Sequence, residues 1–375
     1  MKKWICIALI MVMGINLNGC SLFPDGTLNE AEDEGEYESL DIQETKITGT
    51  LLENMKVDAV IDADIEADWN QYKAVDAGFT KEETENNAKM FVHDDVVIKN
   101  VEEIATKEGE VLRYIYTYSD GSQFHSGSNI IYRSSDCGNK DHDIYIPNEY
   151  GMKISTEERF PLDELNGLSK QDSINKAKEI LVKLGIEVCD NPRVYAMDVD
   201  SQNKYLESHG DRNKDIMSWT KDDECYYMIF KQSIRGLAIS DVAFNGTSYT
   251  GVPAEVRVAV GHKGVEYIRI DYRFDVKETT SVKGQIISME DALNMVKSAQ
   301  QYYDDQTVTE IELCYLPVIK NGFSVVREYE IHPYWIVIIE NKNVPGENGG
   351  EYQNKAIFID AVDGSLYTRT FQNKI

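Results

Sequence analysis

The run Leu112-Arg113-Tyr114-Ile115-Tyr116-Thr117-Tyr118-Ser119 sets one kind of side chain against another at a strict period of two. That period suits a strand with two unlike faces, because successive side chains point to opposite sides. Asp120-Gly121 follows, a pair that turns a chain back on itself in tight hairpins. The pattern returns. Val256, Val258 and Val260 alternate up to Gly261-His262-Lys263-Gly264. Ile268, Ile270, Tyr272 and Phe274 then return with Arg269, Asp271 and Arg273 on the other face. Near the end, Trp335 to Ile339 and Ala356 to Ala361 read as strands, and Asp363-Gly364-Ser365 echoes Asp120-Gly121-Ser122. Asp360 and Asp363 could be taken for a catalytic carboxylate pair. Turn chemistry accounts for Asp363, and Asp360 reads as a strand-end residue. Acid–base work would also need a cleft and a partner.

Each strand-rich stretch is preceded by a helix start. Thr80-Lys-Glu-Glu83, Ser169-Lys-Gln-Asp172 and Ser288-Met-Glu-Asp291 each offer a hydroxyl that can accept a bond from an orphan N–H three residues on. An acidic group in the first turn suits the helix dipole. After Ser288, Ala292, Met295, Val296, Ala299 and Tyr303 form an apolar stripe; after Ser169, Ile174, Ala177, Leu181 and Leu184 do so, and Gly185 supplies a stop. The first helix has only Ala88, Phe91 and Val92 as anchors. Helix then antiparallel strands, three times over, predicts an α+β fold: tandem repeats of an amphipathic helix packed on an antiparallel β-sheet. The expected units are residues 46–165, 166–283 and 284–375.

Two resemblances accompany this pattern. Ile287-Ser288, Glu290 and Ala292, with Trp335-Ile336-Val337 and Ile357-Phe358-Ile359-Asp360-Ala361 before Asp363-Gly364, resemble the PepSY-type domain of bacterial secreted proteins. Tyr227 to Phe230, Lys231-Gln232 and Gly236 to Ile239 resemble the strand–turn–strand of the same superfamily. The resemblance covers about 170–375 and departs around 200–224 and 240–254. The tandem arrangement is similar to the membrane-anchored extracytoplasmic regulators of Gram-positive histidine kinases. The whole chain looks like an uncharacterised lipoprotein family of Gram-positive anaerobes. Such domains bind or restrain other extracytoplasmic proteins, so the resemblance implies a non-catalytic role and carries no catalytic residues.

The beginning of the chain has a separate signature. Lys2 and Lys3 precede a nearly unbroken apolar run from Trp4 to Ile15. That run is shorter than the roughly 20 residues a bilayer span needs, and reads as a secretory signal over 1–19. Leu17-Asn18-Gly19-Cys20 resembles the lipobox of bacterial lipoproteins, in which the Cys is acylated. The expected location is the extracytoplasmic face of the cell membrane, with the lipid on Cys20 as anchor. Residues 20–45 then read as a disordered acidic tether. Asp25, Glu30, Glu32, Asp33, Glu34, Glu36, Glu38, Asp41 and Glu44 lie there with no Lys or Arg.

The formal net charge is −27, and removal of Lys2 and Lys3 with the signal makes it more negative by two. Such a chain is a poor partner for nucleic acid. It suits cations or a basic protein face. Cys137, Cys189, Cys225 and Cys314 are each isolated, which signals neither a zinc ribbon nor a redox dithiol.

Chemistry-bearing motifs are sparse. G-x-S-x-G and H-E-x-x-H are absent, and the six histidines lack ligand spacing. Asp141-His142-Asp143 reads as a solvated hairpin tip. Asp211, Asn213, Asp215 and Asp222 resemble a calcium loop with oxygen ligands at alternate positions. Ile216, however, stands where the sharp turn wants Gly. Tyr114, Tyr116 and Tyr118 are candidate binding residues, an aromatic platform for sugar or peptide unless a helix covers them. The expected function is therefore a membrane-anchored binding or regulatory lipoprotein that recognises a protein partner, is not an enzyme and needs no cofactor. A solute- or glycan-binding lipoprotein is the alternative, and a hydrolase a third.

Overall fold

The structure, a computed structural model, describes residues 40–92, 95–137, 159–209, 218–244, 250–300, 306–319, 326–341 and 353–372. They belong to one compact unit, Glu38–Ile375. The expected signal, lipobox and most of the tether lie outside the described residues. The last part of the expected tether is already paired, with Asp41–Ile42 forming a short strand against Ile47 and Thr48.

Three of the four described α-helices start where the sequence places them. Helix α1 is Lys81–Lys89, capped by Thr80, whose side chain accepts from the Glu83 N–H at 3.0 Å. Helix α2 is Lys170–Lys183, capped by Ser169 through the Asp172 N–H at 3.2 Å. Helix α3, Val199–His209, has no counterpart in the sequence reading. Helix α4 is Met289–Gln300; Ser288 Oγ accepts from the Asp291 N–H at 3.0 Å and donates to the Asp291 carboxylate at 2.7 Å. Glu83 does not turn back to its cap, because Arg273 draws its carboxylate away at 3.1 Å.

The fold class differs from expectation. The protein is mostly β, with twenty described strands against four α-helices, and its sheets are large rather than repeated small modules. One sheet has ten strands. Its main order is Asp41–Ile42, Lys46–Leu52, Met55–Asp62, Gln306–Ile319, Glu328–Asn341, Gln353–Asp360 and Leu366–Gln372. Asn70–Asp76 joins the first part of Glu328–Asn341 and pairs on its other side with Phe274–Ser281. Thr250–Gly251 joins the far end of Gln306–Ile319. Met55–Asp62 runs parallel to Gln306–Ile319. The second sheet has eight antiparallel strands: Ile98–Ala105, Val111–Tyr118, Gln123–Gly127, Ile130–Arg133, Gly264–Ile270, Glu255–Gly261, Cys225–Lys231 and Arg193–Met197. The expected tandem of one helix per small sheet is thus replaced by sheets that recruit strands from remote parts of the chain. Local alternation marks a strand but carries no record of a partner some 250 residues away.

Three helices, α1, α2 and α4, contribute side chains to the cores of these large sheets. Ala177 and Leu181 of α2, Leu184 at its C-cap and Ala88 of α1 are buried with Tyr226, Met228, Phe230, Val256, Val258 and Val260. Full burial of a side chain such as Leu181 stabilises the fold by about 1.5–3 kcal/mol. Phe91 stacks on Tyr132 with centroids 3.9 Å apart. Ala292, Leu293 and Val296 of α4 lie on the ten-stranded sheet beside Trp335 and Val337.

Candidate functional site

The register of the eight-stranded sheet decides what its two faces carry. Directly opposed residues on antiparallel strands share a face. One face is the helix-covered core just described. On the other, one cross-strand row runs Arg193, Ile229, Arg257, Arg269, Ile131, His125 and Ile115. The adjacent row runs Tyr195, Tyr227, Ala259, Tyr267, Arg133, Gln123 and Thr117. Arg113, opposite Gly127, belongs to the same face. Five arginines therefore gather on one face of a chain whose net charge is −27.

The two ends of this face differ. Towards Met197 and Cys225 it is apolar, with Phe160, Trp219, Tyr195, Tyr227 and Tyr267 in a buried cluster. Towards Arg193 and Arg113 it is polar and more open: the Arg193 side chain is 37% exposed and that of Arg269 is 30% exposed. Acids answer part of the charge. Arg193 meets Asp241 at 2.9 Å, Arg269 meets Asp271 at 2.8 Å, and Arg257 bonds Glu255. His125 reports the local field. Burial, then the Arg133 and Arg113 guanidiniums, pull its pKa down to about 4, so the ring is neutral at ordinary pH. Gln123 holds it through a 3.3 Å contact.

Two of the open sheet edges are poorly suited to pairing with another chain. Among the described residues, Ile98–Ala105 and Phe274–Ser281 each pair with one neighbour. The first carries Lys99, Glu102 and Glu103 with two register irregularities, and the second Asp275, Lys277 and Glu278 with one. Charges and bulges on an edge discourage strand addition.

The sequence-derived candidates have these places. Tyr114, Tyr116 and Tyr118 face α1 and are buried. The Tyr118 hydroxyl donates to the Ala88 carbonyl at 2.6 Å, and that of Tyr116 meets Thr84 at 3.2 Å. The protein's own helix occupies the position an aromatic platform would offer. Asp211, Asn213 and Asp215 lie outside the described residues, as do Cys20 and Asp141-His142-Asp143; Asp222 is exposed in the short Lys221–Asp223 turn. Among the described residues no group of three or more His, Cys, Asp or Glu side chains is arranged to hold a metal ion. No described helix is long and apolar enough to cross a membrane.

Asp360 and Asp363 turn out to be unlike each other. Asp363 is exposed and accepts from the Ser365 N–H at 2.8 Å. Gly364, at φ +74°, completes that turn. Asp360 is 2% exposed and accepts from the Val362 and Asp363 N–H groups at 2.9 and 3.3 Å. Its other oxygen meets His332 Nδ1 at 2.8 Å. Burial pushes the Asp360 carboxyl up, but the His332 and backbone bonds outweigh it and hold it below the ordinary carboxylate value. His332 lies where Glu328–Asn341 changes partner, from Asn70–Asp76 to Gln353–Asp360. Gln71 and Glu330 stand beside it, at 3.4 Å from Nδ1 and 3.9 Å from Nε2. This cluster is not legible in the amino-acid order, since it spans three separate strands.

Comparison with known proteins adds a fold. No family model and no curated protein matches the chain. The crystal structure of an uncharacterized protein from Eubacterium rectale ATCC 33656, at 1.45 Å resolution, is similar with a TM-score of 0.60 and 18% identity. The match covers 86% of this chain and 93% of that one. At that identity the likeness speaks to the fold alone.

Proposed function

We propose that this chain is a lipid-anchored extracytoplasmic binding protein without chemistry of its own, and that its arginine-bearing sheet face recognises an acidic protein partner. The supporting observation is the pair of cross-strand rows that gathers Arg113, Arg133, Arg193, Arg257 and Arg269 on one face. Isoleucines 115, 131 and 229 share the first row with Arg193, Arg257 and Arg269, a mixture that suits a partner with both acidic and apolar side chains. Charges and bulges on Ile98–Ala105 and Phe274–Ser281 discourage strand addition at those two edges. The lipobox-like Leu17 to Cys20 supports the location.

A solute-binding reading has its own support in a pocket of about 430 Å³ between α2 and residues 190–194, lined by Lys170, Ile174, Lys178 and Asn191.

Proximity labelling from the chain in its native membrane tests the first reading. Arg113→Glu, at an exposed position, is expected to remove the specifically labelled neighbour while preserving the circular dichroism and melting temperature. A labelled set unchanged by that charge reversal would sink the assignment of this face.

A further inference from the structure

We propose that Asn166 is a site of spontaneous covalent modification, converting through a cyclic imide with Gly167 to aspartate and isoaspartate in the folded chain. Leu165-Asn166-Gly167-Leu168 is a tight turn whose ends, Leu165 and Leu168, bridge as antiparallel partners. Gly167 has φ +89°, whereas Asn166 keeps a negative φ. That combination is the type II turn, which takes a glycine at its third position because φ there is positive. The bond that closes such a turn joins the first carbonyl to the fourth N–H, so the Gly167 nitrogen stands outside it.

Asn166 and Gly167 are both exposed. Among the described residues no hydrogen bond or ion pair holds the Asn166 side chain. A side chain at Gly167 would meet nothing within 4 Å, so the approach to its nitrogen is open. This is the one Asn-Gly pair among the described residues. Asn100 and Asn129 precede Val101 and Ile130, whose branched side chains crowd the following nitrogen.

The chemistry needs only water. The Gly167 nitrogen attacks the Asn166 side-chain carbonyl carbon and gives up its proton. The bond from that carbon to the side-chain nitrogen breaks, and the nitrogen leaves with the proton as ammonia. Water then opens the five-membered imide. Opening at the side-chain carbonyl gives aspartate; opening at the main-chain carbonyl gives isoaspartate, with the backbone now running through the former side chain. The fold makes the two products unequal. The Leu165 N–H donates to the Tyr226 hydroxyl at 2.7 Å, and that hydroxyl donates to the Leu168 carbonyl at 3.3 Å. Tyr226 therefore spans the turn. Isoaspartate inserts an extra backbone carbon between its two contacts, one residue short of the Ser169 cap of α2. Aspartate leaves the backbone unchanged.

Incubating the full-length chain at mildly alkaline pH, folded and in parallel in urea, tests the site. Digestion and mass spectrometry locate the conversion, and an isoaspartyl methyltransferase reads isoaspartate. In the folded sample the Asn166 peptide is expected to gain the mass of an amide-to-acid exchange ahead of the Asn100 and Asn129 peptides, and to divide into both forms. Asn166→Gln is expected to abolish both, because the longer side chain would have to close a larger ring. The isoaspartate fraction is expected to melt below the parent, and Asn166→Asp to match the parent. An Asn166 peptide that stays unchanged in the folded sample while it converts in urea would overturn the proposal. Conversion to aspartate with no isoaspartate would do the same.

Discussion

At the scale of single residues, two aspartates three positions apart have different physical roles. Asp360 satisfies two buried N–H groups and a histidine, whereas Asp363 closes an exposed turn. Removing a buried acceptor leaves its donors unsatisfied at about 1–3 kcal/mol. Asp360→Ala is therefore expected to lower unfolding free energy by about 2–4 kcal/mol, and Asp363→Ala by under about 1 kcal/mol, in urea titrations. Equal effects would contradict this account. The sign of the acid dependence follows. Folding depresses the Asp360 pKa, so its contribution is fully present above the unfolded value near 3.9 and is lost as pH falls through the folded value. Asp360→Asn is expected to flatten that acid limb. The amino-acid order marks Asp363 as turn chemistry and Asp360 as a strand-end residue, but His332, 28 positions earlier, is tied to Asp360 only through the strand register.

At the scale of elements, local signals were legible because their physics is local. A hydroxyl caps a helix three residues on, and Thr80, Ser169 and Ser288 all do so. Ser169→Ala is expected to cost about 1 kcal/mol and to lower the melting temperature without altering the circular dichroism shape. An unchanged melting curve would mean that packing of Ala177, Leu181 and Leu184 alone fixes the helix start. The hairpins at Asp120-Gly121, Gly261 to Gly264 and Asp363-Gly364 are likewise where the sequence put them. The strand Phe274–Ser281 is harder to see beyond Phe274: it is an exposed edge whose polar residues show no apolar alternation.

At the scale of the whole molecule, the two sheets are tied by charge. Lys231 of the eight-stranded sheet meets Glu312 of the ten-stranded sheet at 2.6 Å, with Asp241 3.7 Å from the same ammonium. Burial works against the Lys231 charge, but Asp241 and Glu312 outweigh it and raise its pKa; burial also lifts the Glu312 carboxyl. Removing one member of a buried pair strands the other, typically at about 3–5 kcal/mol. Lys231 is 29% exposed, so Lys231→Met is expected to cost about 2–3 kcal/mol. Lys231→Met with Glu312→Leu should recover most of that loss in a double-mutant cycle, because Asp241 keeps Arg193. Additive losses would show that the pair does not couple the sheets.

The amino-acid order by itself determined where three of the four described helices begin, where hairpins turn and which side chains share a strand face. Each depends on groups within a few residues of one another. Tertiary structure decided which strands meet, and with that the fold class, the arginine rows and the His332–Asp360 contact. Met55–Asp62 lies beside Gln306–Ile319 because their side chains fill one core, and that complementarity exists only once the intervening chain has folded.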